Sequence, residues 1–288
     1  MANVLITGAT GNVGLAVVQA LAQLTHAFTV YAGVREITKD QAMLAQYGAI
    51  ARKFDFTDPS TYDPALAKCD LLFLLRPPQL SDVKAIFQPI IQAAKRHGVG
   101  HIVFLSVQGV QNSPIIPHHK IEKAIVASGI PYTFLRPAYF MQNFTTTLRS
   151  DLVEKQRIFL PAGNAKFTLV DVSDLGKVAA QVIVQPDRYR NLALDLTCAE
   201  RLTFQEMAET LGRILEKPIR YESPNLVKFF WQKKREQVPT MLILVMIMLH
   251  YLPRFMAVPA TTEWVEKITD NQATTFDQFV AKNKDLLR

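Results

Sequence analysis

The stretch Ile6-Thr7-Gly8-Ala9-Thr10-Gly11-Asn12-Val13-Gly14 constrains the fold more than any other part of the chain. A short apolar run, Asn3 to Ile6, precedes it, and an amphipathic one, Leu15 to Leu24, follows. That pattern is a strand, a tight turn and a helix. The glycines are spaced Gly-x-x-Gly-x-x-Gly, not Gly-x-Gly-x-x-Gly, and each has a physical task. Gly8 lets the chain leave the strand in a conformation that a side chain would strain. Gly11 lets backbone come close to a pyrophosphate, and Gly14 lets the helix pack against the strand. The helix then points unpaired N–H groups and the positive end of its dipole at the phosphates. Gly8, Thr10, Gly11, Asn12, Val13 and Gly14 are therefore the candidate phosphate-binding residues.

Composition narrows the alternatives. The 288 residues, about half of them apolar, can bury a sizeable core as one large α/β unit or as a large and a small domain. The net charge of +7 raises the question of a polyanionic partner, but no block of five like charges exists. The densest cluster, Lys233-Lys234-Arg235, is followed by Glu236 and reads as a solvated helix face, so no nucleic-acid partner is expected. The two cysteines, Cys69 and Cys198, lie far apart beside apolar runs, which implies inert core thiols and neither a disulfide scaffold nor a metal site. This usage fits a cytoplasmic protein, as does a strand that begins by residue 3 and leaves no room for a signal peptide. Met241 to Leu249 is strongly apolar but far shorter than the ~20 residues that span a bilayer. It reads as a buried helix or a lid over an apolar pocket, with no membrane partner.

Beyond the first helix, Phe28 to Ala32 is a second strand ending in Gly33-Val34-Arg35. In doubly wound folds this position meets the adenosine ribose. A carboxylate there accepts from the 2′-hydroxyl of NAD, whereas its absence with a nearby Arg suits the 2′-phosphate of NADP. Tyr31, Ala32 and Gly33 are uncharged and Arg35 follows, so NADP(H) is preferred over NAD(H); Glu36 could still reach a ribose if the loop turned differently. Ile50 to Phe54 is a third strand ending in Asp55-Phe56, where Asp55 either accepts from an adenine amino group, with Phe56 packing nearby as a further cofactor contact, or caps the next turn. Asp70 to Leu75 is a nearly continuous apolar run, as expected of a central parallel strand, and Leu75-Arg76 at its carboxyl end should face the cofactor.

Ser81 to His97 reads as a helix with Ser81 as its N-cap and His97 as a partner of its dipole. His101 to Leu105 is a fifth strand, and Ser106 stands at its carboxyl end to orient a substrate oxygen or cap a turn. A helix runs from Pro117 to Ser128, and Tyr132 to Leu135 is a sixth strand ending in Arg136-Pro137-Ala138-Tyr139-Phe140. Asp171 to Val184 is a further helix and Leu192 to Leu196 a seventh strand. This alternation implies a doubly wound parallel Rossmann-like sheet of order 3-2-1-4-5-6 with helices on both faces. The expected division is 1–200 for this domain and 201–288 for a smaller, mostly helical substrate domain, with part of 151–165 crossing to the latter. Thr203 and Glu206 form a capping box at the start of a helix in that second part.

At this point the residues match a family. The chain resembles the NmrA-like group of atypical short-chain dehydrogenase/reductases over most of its length. The resemblance rests on Thr7 to Gly14, on Arg35, and on His101-Ile102-Val103-Phe104-Leu105-Ser106. It rests more specifically on Lys120-Ile121-Glu122, on Ser128-Gly129-Ile130-Pro131-Tyr132-Thr133-Phe134-Leu135-Arg136-Pro137 and on Phe140-Met141-Gln142-Asn143-Phe144. It implies NAD(P) binding and one of two roles, a reductase (quinone reductases included) or a non-catalytic redox sensor. It also implies that Lys120 lies near the nicotinamide ribose and that Pro137 to Phe140 lie under the nicotinamide.

Typical short-chain reductases use Tyr-x-x-x-Lys, in which the Tyr passes a proton to the carbonyl. Four residues before Lys120 stands Ile116, which cannot transfer a proton. This argues against a sugar-nucleotide epimerase but not against hydride transfer to a quinone, whose reduced oxygen can take a proton from water. Lys120, Tyr139 and Ser106 are the candidate catalytic residues, and Lys120, Pro137 and Tyr139 also belong to the expected cofactor contacts. Adjacent His118 and His119 cannot share a helical face, so no two-histidine metal site is expected. The expected function is hydride transfer from NADPH to a quinone-like or small carbonyl or enone acceptor. The alternative is an NADP(H) sensor acting through a protein partner, and a homodimer is compatible with either.

Overall fold

A computed structural model describes residues 2–288. Its strands, in chain order, are β1 (Ala2–Ile6), β2 (Phe28–Val34), β3 (Ile50–Lys53), β4 (Leu71–Leu74), β5 (His101–Leu105) and β6 (Tyr132–Pro137). They continue with β7 (Tyr139–Phe140), β8 (Arg157–Phe159), β9 (Lys166–Val170), β10 (Leu192–Leu196), β11 (Arg201–Thr203) and β12 (Arg220–Glu222). Clustering of contacts divides the chain into two compact units. The first comprises Met1–Pro137, Val172–Leu196 and Trp264–Gln272; the second comprises Ala138–Asp171, Thr197–Glu263 and Ala273–Arg288.

The first unit is an α/β unit on a seven-stranded sheet of order β10-β6-β5-β4-β1-β2-β3. Every pair in it is parallel, with Val4 opposite both Val30 and Leu71, and Phe73 opposite Val103. The order expected for the first six strands is present, and the seventh joins beside β6. The run Leu71–Leu74 is buried throughout, as befits a strand covered on both faces. One face carries a core that includes Leu72, Phe87, Ile90, Phe104 and Ile125.

Local details differ from the sequence reading where a hydrogen bond decided them. Strand β2 runs two residues further than expected, to Val34, because β3 pairs alongside through Val34 and Lys53. Asp82, not Ser81, caps the fourth-strand crossover helix: its side chain accepts from the Ala85 N–H at 3.0 Å. That helix opens with a π turn, Val83–Phe87, before Gln88–Arg96, and Pro89 lacks the N–H that would close the α-turn there. His97 turns its ring to Asp63 at 2.9 Å rather than only completing a helix dipole.

The second unit holds a three-stranded sheet of order β11-β9-β7 and a two-stranded pair of β8 with β12, flanked by helices. Its core is aromatic, with Phe144, Phe159, Phe204, Phe229, Phe276 and Phe279 buried. The boundary expected near residue 200 corresponds to one crossing, at Leu196/Thr197; the chain also crosses at 137/138, 171/172, 263/264 and 272/273. Segment 138–171 joins this unit because Met141, Phe144, Leu148 and Phe159 pack into the same core as Phe204. The capping box of Thr203 and Glu206 is formed, the Glu206 carboxylate accepting from the Thr203 N–H at 2.7 Å. The apolar helix Thr240–Tyr251 is not a buried helix: Ile243, Met246 and His250 are buried, and much of the rest faces solvent. Cys69 and Cys198 are free and buried, and burial pushes the Cys198 thiol up to about 11.

Lys233 is not on a solvated face, unlike Lys234 and Arg235. It is buried and pairs with buried Asp151, and with Glu236 at 2.8 Å. Lys155 bonds both carboxylates, and Arg157 reaches Asp151 at 3.2 Å. Burial works against the Glu236 carboxylate, but hydrogen bonds from Gln232, Lys155 and Lys233 outweigh it and hold the carboxyl at about 2, against an ordinary 4.5. Stability from this group is thus fully present above pH 4.5 and is lost as pH falls toward 2. Glu236→Gln should cost about 1–3 kcal/mol at neutral pH, a gap that closes on acidification. Urea unfolding of both proteins across the acid range checks this; a gap independent of pH would mean that the ion pairs are not its source.

Candidate functional site

Six strands of the first unit bring candidate residues to one edge of the sheet, the edge formed by their carboxyl ends. At its centre Thr7 follows β1. Its hydroxyl donates to the Phe73 carbonyl at 3.0 Å and accepts from the Leu75 N–H at 3.1 Å, which ties the ends of β1 and β4 together. Gly8 then turns with φ +60°, and a Cβ there would meet the Leu75 side chain at 2.8 Å. The Gly11 N–H donates to the Gly8 carbonyl at 3.0 Å, and the Leu15 N–H closes the first helical turn on Gly11. Helix Asn12–Ala22 has Gly11 at its N-cap, with no side-chain cap and no acid in its first turn. The N–H groups of Asn12, Val13 and Gly14 precede the first helical bond and are aimed outward with the dipole. Thr10, Gly11 and Asn12 are exposed, and Val13 is buried beneath them. A Cβ on Gly14 would lie 2.2 Å from the Gly8 carbonyl oxygen, so only glycine admits this approach. A cradle without side chains at an uncapped helix start fits a pyrophosphate.

Past β2 the chain presents Arg35, which is exposed, and the Lys53 ammonium donates to the Arg35 carbonyl. Two cations therefore sit where β2 and β3 end, and β2 itself ends without a carboxylate. Glu36 is exposed and makes no side-chain cap for the following helix. Asp55 closes a turn: one of its oxygens accepts from the Thr57 N–H and hydroxyl, both at 2.8 Å. The Thr57 backbone bond chiefly lowers its pKa, against burial, with Arg35 and Lys53 adding to the effect. Phe56 is a core residue, edge-on to Phe54 at 4.9 Å, and its carbonyl accepts from the Tyr62 hydroxyl.

At the end of β4, the Arg76 guanidinium bonds the carbonyls of Pro77, Pro78 and Leu80 and donates to His118 Nε2 at 3.3 Å. That side chain braces its own loop, which leaves backbone as what Leu75-Arg76 can offer a ligand. Burial first, and then Arg76, pushes the His118 imidazole down to about 3, so it stays neutral and accepts. His119 bonds the Val110 carbonyl through Nδ1 at 3.1 Å. Ile116 is the N-cap of the helix Pro117–Ser128, and Lys120 stands in its first turns, exposed and without an ion-pair partner among the described residues.

Ser106, at the end of β5, is 1 % exposed, and its Oγ has no hydrogen-bond partner among the described residues. It therefore caps no turn. A buried hydroxyl with no partner costs about 1–3 kcal/mol. The edge continues through Gln108, whose N–H donates to the Pro137 carbonyl at 3.0 Å. Glu122 and Arg136 form a two-pronged ion pair at 2.7 and 3.0 Å that ties helix Pro117–Ser128 to β6. The sequence reading quoted both residues without a reason, and buried pairing supplies one. Thr7 was missed as a brace because a threonine before a glycine carries no signal of its own.

Tyr139 belongs to the second unit. Its hydroxyl lies 3.1 Å from His250 Nε2, and His250 Nδ1 is 2.6 Å from the Met246 carbonyl, so Nδ1 donates there and Nε2 accepts a hydrogen bond from the tyrosine hydroxyl. Burial raises the Tyr139 pKa beyond the usual phenol range and pushes the His250 imidazole down to about 4. Phe167 and Phe204 box the ring edge-on. A tyrosine acid needs the opposite shift. Among the described residues, no group of three His, Cys, Asp or Glu side chains could hold a metal ion.

The NmrA-like family model matches residues 1–264. The chain belongs to this family. An NAD(P)H azoreductase of Xenophilus azovorans is 28% identical over 282 residues, covering 96% of each chain. The structure of an NADPH-dependent quinone oxidoreductase from Escherichia coli superposes with a TM-score of 0.84 at 25% identity, over 97% of this chain and 98% of that one. The same enzyme has been solved with NADPH, and NmrA, a negative transcriptional regulator, with NADP. NmrA has a TM-score of 0.75 at 17% identity, over 99% of this chain and 96% of its own.

Gly14→Ala tests the cradle. The added methyl must displace the Gly8 carbonyl, so dinucleotide affinity should fall at least about tenfold and the melting temperature should drop. Titration by NADPH fluorescence reads the first effect. Unchanged affinity would remove the loop from the site.

Proposed function

We propose that this protein is an NADPH-dependent oxidoreductase that passes hydride to a flat, apolar acceptor of the quinone class or to a small carbonyl or enone. The observation that carries the reading is Ser106, a buried hydroxyl without a hydrogen-bond partner among the described residues, on the same sheet edge as the open glycine turn. Gly8 to Gly14 would hold the pyrophosphate. Arg35, with Lys53 beside it, would take the 2′-phosphate, and Asp55 the adenine end through its remaining oxygen. Lys120, which has no ion-pair partner among the described residues, would hold the nicotinamide ribose. When bound, the reduced nicotinamide supplies the hydride. Ser106 donates a hydrogen bond to the acceptor oxygen and so orients it, and water supplies the proton that completes the reduction. Such a reaction needs positioning more than a strong acid, which suits a chain with Ile116 in place of the tyrosine. The azoreductase and quinone oxidoreductase relatives support the same class. Two buried free thiols fit a reducing compartment such as the cytoplasm.

A second reading is a non-catalytic sensor of NADP(H). It is favoured by the Tyr139 proton being held by His250, and by the likeness to NmrA. NADPH oxidation with a panel of quinones separates the two. Turnover is expected, reduced at least about tenfold in Lys120→Ala and Ser106→Ala, while Ser106→Ala unfolds no earlier than the parent because it deletes an unpaired hydroxyl. Firm NADPH binding with no turnover on any acceptor would establish the sensor instead.

Cofactor choice has its own test. Arg35→Ala should weaken NADPH binding about tenfold or more and leave NADH binding unchanged, since only the 2′-phosphate meets the guanidinium. Equal affinities for the two cofactors in the parent protein would rule out the NADP preference.

A further inference from the structure

No helix among the described residues is long and apolar enough to cross a membrane. A helix can also lie in the plane of a membrane surface, and the second unit carries one with the right chemistry. Helix Thr240–Tyr251 contains no Asp, Glu, Lys or Arg. Ile243, Met246 and His250 form its single buried stripe, at spacings of three and four. Met241 is 71% exposed, and Leu244, Met248 and Leu249 are between 41 and 49% exposed. Helix Leu226–Arg235 packs against it and adds Trp231, 60% exposed; the turn that follows, Leu252–Phe255, adds Phe255 at 72%. An apolar surface of this extent on a folded chain marks a contact site.

The exposed charges that flank these apolar residues along the chain have one sign. Lys228, Lys234 and Arg235 are exposed on the preceding helix, and Arg254 on the following turn. From Gln237 to Thr262 there is no acidic residue, and Glu236 is taken up by Lys155 and Lys233. A second copy docking about a two-fold axis would set this cationic border against itself. Acidic lipid headgroups complement it, and the net charge of +7 favours the same encounter.

We propose that this face of the second unit docks onto an anionic membrane surface. Met241, Leu244, Met248, Leu249, Trp231 and Phe255 enter the boundary between headgroups and acyl chains, and the bordering lysines and arginines contact lipid phosphates. The proposal rests on no reading of the reaction. It is tested by co-sedimentation of the full chain with phosphatidylcholine vesicles, with and without phosphatidylglycerol. Binding to the anionic vesicles is expected, weakened by high salt and much weaker on the neutral ones. Leu244→Glu with Met248→Glu should lower it at least about tenfold without changing the melting temperature, since both side chains are exposed. Lys234→Glu with Arg235→Glu should remove the preference for anionic lipid. Absence of binding to both vesicles would overturn the proposal. So would a dimer in light scattering that Leu244→Glu splits, which would make a second copy the occupant.

Discussion

The first unit depends on one close approach. Helix Asn12–Ala22 sits so near the end of β1 that the Gly8 carbonyl occupies the space a Gly14 side chain would need. This contact aims the helix start, leaves its first N–H groups uncapped, and brings the turn against Leu75 at the end of β4. Thr7 reinforces it by bonding β4 through its hydroxyl on both sides. Glycines at positions 8, 11 and 14 leave that turn's backbone open to a phosphate.

Around this centre, charged side chains brace as often as they present themselves. Arg76 gathers the carbonyls of its own loop and fixes His118 as a neutral acceptor. Glu122 and Arg136 join the helix that carries Lys120 to the strand that ends at Pro137. Removing one partner of such a buried pair typically costs about 3–5 kcal/mol, which explains both residues without a role in chemistry. Against that background two groups stand out among the described residues: Ser106 within the sheet edge, with no hydrogen-bond partner, and Lys120 on its exposed border, with no ion-pair partner.

The second unit solves a different problem. Its core is largely aromatic, and it buries a lysine among carboxylates that restrain it. It also keeps much of an apolar helix on its outside. The first arrangement ties stability to the ionisation of Glu236, and the second leaves apolar side chains in contact with water.

Much of the fold was legible in the sequence. Hydrophobic runs of strand length, the spacing of the glycines and the alternation with helices dictate a parallel doubly wound sheet in the observed order, because these are local patterns with few ways to pack. The positions of Arg35 just past the second strand, of the glycine turn and of Ile116 four residues before Lys120 were equally readable, being single residues at set distances from a strand or a lysine. Tertiary structure alone decided which polar groups are consumed. Asp55 closes a turn, Phe56 enters a core, Lys233 is buried, Tyr139 donates a hydrogen bond to a histidine 111 positions away, and Ser106 Oγ finds no hydrogen-bond partner among the described residues. The sequence lists donors and acceptors, but only the folded chain determines which of them lie within reach of each other. The same holds for residues 240–251, whose composition is apolar on every side. Which stripe is covered was settled by the neighbours that happen to pack against Ile243 and Met246, not by any periodicity of its own.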